Sequence, residues 1–201
     1  MKSDYIICLD NGHASTTLGK CSPDKKLKEY AYAREIVKLL ALKLKANGYN
    51  TYIVTPENDV DVSLKERCRR INKIYKDNNK KAISISVHNN AAGADGKWHS
   101  ASGWQVFVSL NASDNSKKLA KHLYLEAEKS GLKGNRSVPK EKYWTQNLAM
   151  CRDTNCPAVL TENLFQDNKE DVEFLLSDKG KQIIVDIHYN GIINYLNAIN
   201  S

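Results

Sequence analysis

No apolar run in this 201-residue chain approaches the ~20 residues that a membrane-spanning helix needs, so stable insertion as a helical membrane protein is excluded. The N-terminus, Met1-Lys2-Ser3-Asp4-Tyr5, leads straight into strand-like residues. It has neither the apolar core nor the small-residue cleavage site of a signal peptide, so synthesis in the cytoplasm without an ordinary export signal is expected. Cysteine is sparse: Cys8, Cys21, Cys68, Cys151 and Cys156 are odd in number and irregular in spacing. No C-x-x-C pair occurs, which excludes a zinc ribbon and a thioredoxin-type motif and fits free thiols in a reducing compartment. Internal repeats, linkers and low-complexity tracts are also missing. The net charge of +7 favours an anionic partner. Yet the lysines, among them Lys38, Lys43, Lys73, Lys117 and Lys121, are scattered through helical patterns. With no dense basic run and no groove-reading motif, nucleic acid is not supported. An anionic envelope polymer fits the charge equally well.

What is present is ordinary globular composition, 41% hydrophobic and 26% charged, in a length that suits one well-packed domain over residues 1–201. The apolar run Ile6-Ile7-Cys8-Leu9 reads as a strand over residues 5–10 that ends in a small turn carrying His13. Glu29 opens a helical pattern in which Tyr32, Ile36, Leu39, Leu40, Lys43 and Leu44 keep the three-four spacing, stopped by Asn47-Gly48. Residues 49–54 predict a second strand. A helix capped by Asp61 or Ser63 follows, then a third strand over 82–87 that runs into His88. The segment 91–102 reads as a loop, 103–108 as a fourth strand, and Ser113 as the cap of a helix reaching about residue 130. A short strand is expected over 148–151 and a last one over 157–161, ended by Glu162. Two helices, over 169–176 and 179–198, close the chain. Strands alternating with helices predict an α/β fold: a single three-layer domain with a mostly parallel central sheet and helices on both faces.

Parallel strands place their C-terminal ends along one sheet edge, which is where open α/β sheets carry their chemistry. His13, His88 and Glu162 each follow a predicted strand, and Glu29 heads the helix after the first. Two histidines and two glutamates in one crevice match a catalytic zinc site, which needs three protein ligands, an open position and a separate base.

These residues lie in phrases with a recognisable order: Leu9-Asp10-Asn11-Gly12-His13, Glu29 at the head of its helix, GYNTYIVT over 48–55, SLKERCRRIN over 63–72, SISVHNNAA over 84–92 and PAVLTENLFQDNKEDVEFLL over 157–176. Together they resemble the zinc-dependent N-acetylmuramoyl-L-alanine amidases of the Amidase_3 type, the catalytic domain of autolysins and phage endolysins. The resemblance implies that His13, Glu29 and His88 bind one Zn²⁺ per chain and that Glu162 is the catalytic glutamate. It also implies peptidoglycan as substrate, cut at the amide between N-acetylmuramic acid and L-alanine. The family usually has Asp-Pro-Gly-His-Gly where this chain has Asp10-Asn11-Gly12-His13-Ala14, and Thr-Arg where it has Thr55-Pro56. Asn163-Leu164-Phe165 likewise replaces a common small residue, glycine and phenylalanine. None of these departures removes a ligand.

Glu35 is the rival to Glu29, and Glu141 the rival to Glu162. Arg136, Asn89 and Asn163 are candidates for substrate contact, with Arg136 facing a stem-peptide carboxylate. Arg67 and Asn72 match family positions, although a helix arginine is usually solvated or ion-paired on the surface. His122 and His188 fall in helical patterns and read as structural. A monomeric phage endolysin acting on the cell wall after release is the expected setting. The alternatives are a bacterial remodelling amidase, a non-catalytic peptidoglycan-binding relative, or a zinc peptidase with another amide substrate, since fold does not fix substrate.

Overall fold

In the computed structural model, which describes residues 4–200, the chain forms a six-stranded sheet in the order β2-β1-β3-β6-β4-β5. The apolar run of β1 (Ile6–Asn11) is second from one edge, parallel to β2 (Asn50–Ile53) on one side and β3 (Ala82–Asn90) on the other. Next comes β6 (Ala158–Phe165), parallel to β3, and then β4 (Gln105–Val108), which runs antiparallel to β6. The two-residue β5 (Trp144–Thr145) closes that edge.

Helices cover both faces. On one, α1 (Glu29–Ala46), α3 (Asp114–Lys129), α5 (Lys169–Leu176) and α6 (Asp178–Asn200) pack together, with α6 against each of the other three. The stripe Tyr32, Ile36, Leu40 and Leu44 is buried there with Leu9, Ile85, Val87 and Trp104. The thinner opposite layer is α2 (Leu64–Asp77) and α4 (Ala149–Arg152), over Cys8, Val54, Cys68, Ile71 and Met150. Ser63 caps α2 by accepting a hydrogen bond from the Glu66 amide, satisfying one of the helix's free N-terminal donors. Among the described residues no helix is long and apolar enough to cross a membrane.

Two expectations are corrected. Residues 148–151 form no strand: Leu148 precedes the single turn α4, and the short strand is Trp144–Thr145. A four-residue apolar run has no legible period, and Ala149 and Met150 favour helix. The other correction concerns strand length. The third and last strands do not stop before His88 and Glu162 but run through them, and the two residues are register partners across β3 and β6. Registered partners point to the same side of a sheet, so the pairing places both side chains together.

Candidate metal centre

A turn, a helix start and a strand bring His13, Glu29 and His88 together, with one potential ligand atom from each lying within 4.8 Å of the others. His13 follows β1 in the left-handed conformation, φ 62°, a region where histidine is enriched among residues with a Cβ. Arg34, on α1, holds that turn: its Nη1 donates to the His13 carbonyl at 2.9 Å and its Nη2 to the Glu57 carbonyl at 2.6 Å. Gly12 leaves room for the second imidazole, since a Cβ there would lie 2.3 Å from His88 Cε1. The two rings meet edge to face, with centroids 5.2 Å apart.

Glu29 is the first residue of α1 and is buried. Its backbone N–H donates to the Lys20 carbonyl, while its side chain turns away from the helix end towards the histidines. Oε1 lies 3.1 Å from His88 Nδ1 and 3.4 Å from His13 Nε2, and it accepts the Asn89 amide at 3.1 Å. Oε2 is buried without a hydrogen-bond partner. Burial alone would raise the Glu29 pKa, but the bonds from His13 and His88 hold it well below the ordinary carboxylate range. Burial would likewise lower that of His88, and the Glu29 carboxylate, helped by Glu162 and Asp10, more than offsets it, leaving a raised value. Two imidazoles and a carboxylate converging in this way are a donor set able to hold a metal ion, and their type suits zinc. Glu35 is not part of the cluster; it pairs with Lys181 on the surface at 2.8 Å.

Glu162 stands beside His88 on β6, with Oε2 buried and unpartnered. Burial, reinforced by the nearby Glu29 charge and opposed by His88 and Lys20, pushes its carboxyl up to about 7. Glu141, the rival, is exposed on the loop before β5. A cleft of about 380 Å³, lined by Asp10, His13, Asp61, Arg67, His88 and Met150, opens next to the cluster.

Asn89 and Asn163, expected at the substrate, are instead buried beneath the site. Between the pairs His88–Glu162 and Asn90–Phe165 the register shifts, β6 carrying two residues where β3 carries one, with Leu164 left-handed at φ 63°. Such a bulge re-aims neighbouring side chains. The two asparagines repair the ladder: Asn89 Nδ2 donates to the Asn163 carbonyl at 2.6 Å, and Asn163 Nδ2 to the His88 carbonyl at 2.9 Å. Asn163 Oδ1 accepts from the indole of Trp104 at 2.7 Å, which leaves that side chain nothing to offer a substrate. Arg136 is exposed and left-handed, φ 52°, on the loop before β5, and is not among the residues brought to the cluster.

Arg67 is no surface residue. It is buried, with Nη1 2.9 Å from Asp10 Oδ1 and 2.8 Å from the Asn11 carbonyl. Neither Arg34 nor the partnership of Asp10 with Ser86 stood out in the sequence. The signal available was only that Ser86 and His88 are two apart in a strand and so share a face.

The family profile described as N-acetylmuramoyl-L-alanine amidase matches residues 7–194. The chain is 29% identical over 192 residues to the endolysin of Bacillus phage SPP1, covering 96% of this chain and 66% of that protein. It is 30% identical over 193 residues to the probable cell wall amidase LytH of Staphylococcus saprophyticus, covering 96% and 58%. The chain thus spans less than two thirds of the length of these relatives. Among solved structures it resembles the N-acetylmuramoyl-L-alanine amidase of Clostridium difficile 630, with TM-score 0.79, 23% identity, and coverage of 98% and 99%. Ami1 of Mycobacterium smegmatis superposes with TM-score 0.83 at 17% identity, covering 98% of each chain. At these identities the likeness is one of fold.

Proposed function

The chain belongs to the N-acetylmuramoyl-L-alanine amidase family, and we propose that it hydrolyses the amide between N-acetylmuramic acid and L-alanine in peptidoglycan. In this proposal His13, Glu29 and His88 hold one zinc ion, and Glu162 is the catalytic carboxylate. The observation that carries it is the convergence of two imidazoles on one buried carboxylate, with a second, half-buried carboxyl registered beside them.

The residues fit the metal. Both histidines present a ring nitrogen to Glu29 Oε1, and Glu29 Oε2 has no partner within the protein. Zinc bound there supplies a Lewis acid that polarises a carbonyl oxygen and acidifies water. Glu162, whose carboxyl burial raises to about 7, is poised to take a proton from the attacking water on its carboxylate and return it to the departing alanine nitrogen. The reaction releases a free lactyl carboxyl group and a new L-alanine amino terminus. The open side of the site is the cleft between β1 and α2, which His13 and His88 line together with Asp10 and Arg67.

The setting we favour is a phage endolysin, a single catalytic domain acting as a monomer on the cell wall. Similarity to the SPP1 endolysin supports it, and the charge of +7 would hold such an enzyme near an anionic envelope. The comparable identity to LytH supports the second setting, a bacterial remodelling amidase. Neighbouring holin or tail genes distinguish the two.

The test is digestion of purified peptidoglycan by the zinc-loaded protein, with the new ends identified by mass spectrometry. Free muramyl lactyl groups and new L-alanine amino termini are the expected products; cleavage in the glycan or cross-bridge overturns the proposal. Glu162→Gln should retain zinc while turnover falls by about 10²–10⁴-fold, the usual range for loss of a general acid–base.

A further inference from the structure

Behind His88, away from Glu29, lies a line of polar groups that packing alone does not require. His88 Nε2 is 3.1 Å from Ser86 Oγ, Ser86 Oγ is 2.5 Å from Asp10 Oδ2, and Asp10 Oδ1 is 2.9 Å from Arg67 Nη1. Ser86, Asp10 and Arg67 are 0%, 1% and 2% exposed. Three elements contribute: Ser86 shares a face of β3 with His88, Asp10 is its register partner on β1, and Arg67 reaches in from α2. Arg67 is itself fixed, its Nε donating to the Val62 carbonyl at 2.8 Å.

The donors and acceptors leave one assignment. Arginine only donates, and the carboxylate facing it only accepts. Ser86 therefore gives its single hydroxyl hydrogen to Asp10. Having done so, Ser86 Oγ can only accept from His88, which puts a hydrogen on Nε2. In a neutral imidazole that leaves the lone pair on Nδ1, the atom facing Glu29 Oε1 at 3.1 Å.

We propose that Arg67, Asp10 and Ser86 are positioning residues that fix the ring orientation and Nε2–H tautomer of His88, so that Nδ1 is its metal-binding atom. The proposal rests on the metal site proposed above. Partners of this kind orient a ligating histidine, and their loss typically costs about 10–100-fold in metal affinity.

The experiment measures zinc affinity by competition with a chromophoric chelator for the wild type, Ser86→Ala and Ser86→Thr. The visible spectrum of each cobalt-substituted form and the metal-free melting temperature complete the comparison. Ser86→Ala should bind zinc about 10–100-fold more weakly and shift the cobalt spectrum while melting near the wild-type temperature. Ser86→Thr, which keeps the hydroxyl, should restore both. Wild-type affinity in Ser86→Ala, or no recovery in Ser86→Thr, overturns the relay. In the zinc-bound wild type, ¹⁵N spectra should show His88 protonated at Nε2; a proton on Nδ1 overturns it independently of any variant. A wild type that binds no zinc fails the metal site itself, and the relay with it.

Discussion

His188 lies wholly inside the protein between α6 and β6, its Nδ1 donating to the Ile184 carbonyl at 2.7 Å and its Nε2 accepting from Thr161 Oγ1 at 2.9 Å. Burial pushes its pKa down to about 4, a shift only partly opposed by the Ile184 bond. Between ~6.5, where an unfolded histidine titrates, and about 4 the unfolded chain binds more protons than the native one. This contribution to stability is therefore complete above pH ~6.5, falls as the pH drops towards 4, and is constant below. His188→Gln removes it. In urea unfolding, the stability advantage of the wild type over His188→Gln should shrink by about 2 kcal/mol between pH 7 and pH 4.5. An advantage that does not change with pH contradicts a neutral buried imidazole. The same scale shows what residue types convey and what they conceal. His13, Glu29, His88 and Glu162 stood out because each is a chemically capable side chain that reads as a strand or helix boundary, although β3 and β6 run on through His88 and Glu162. Asn89 and Asn163 looked equally capable, but both are buried and their Nδ2 groups bridge a bulge that no one-dimensional pattern announces.

The turn after β1 and strand β3 depend on each other, because Gly12 leaves the space that the His88 ring fills. An added methyl group at position 12 would enter the His88 ring, 2.3 Å from Cε1 and 2.5 Å from Nδ1. Gly12→Ala should leave the circular dichroism spectrum unchanged and weaken zinc binding by tenfold or more, measured against a chelating dye; undiminished affinity would show that the ring can move aside without cost. Among elements, the long helices were readable from their apolar period, since α1, α3 and α6 each bury one stripe. Lengths of strands were not. β3 and β6 continue through His88 and Glu162 because their mutual pairing sustains them, and the polar residues there look like strand ends when read singly. The misassigned segment over 148–151 failed for a related reason, being too short to carry a period.

At the scale of the whole molecule, the three residues we propose as zinc ligands are far apart along the chain, at 13, 29 and 88, and only the folded protein assembles them. Metal that binds the native state alone must stabilise it, by about 4 kcal/mol at a thousand times the dissociation constant. For a protein of this size that is roughly a 10 °C rise in melting temperature, reversible by a chelator. His13→Ala should abolish most of the rise. A melting temperature indifferent to zinc and to chelator would be incompatible with the centre. The sequence by itself determined the α/β class, the order of the main elements and the four side chains we propose for the chemistry, because periodicity and residue type are local properties. Only the tertiary structure decided how those side chains are aimed. The Arg67–Asp10–Ser86 line, the Arg34 brace on His13 and the bulge under Glu162 each join residues distant in sequence through hydrogen bonds whose donors and acceptors are matched only once the sheet is in register.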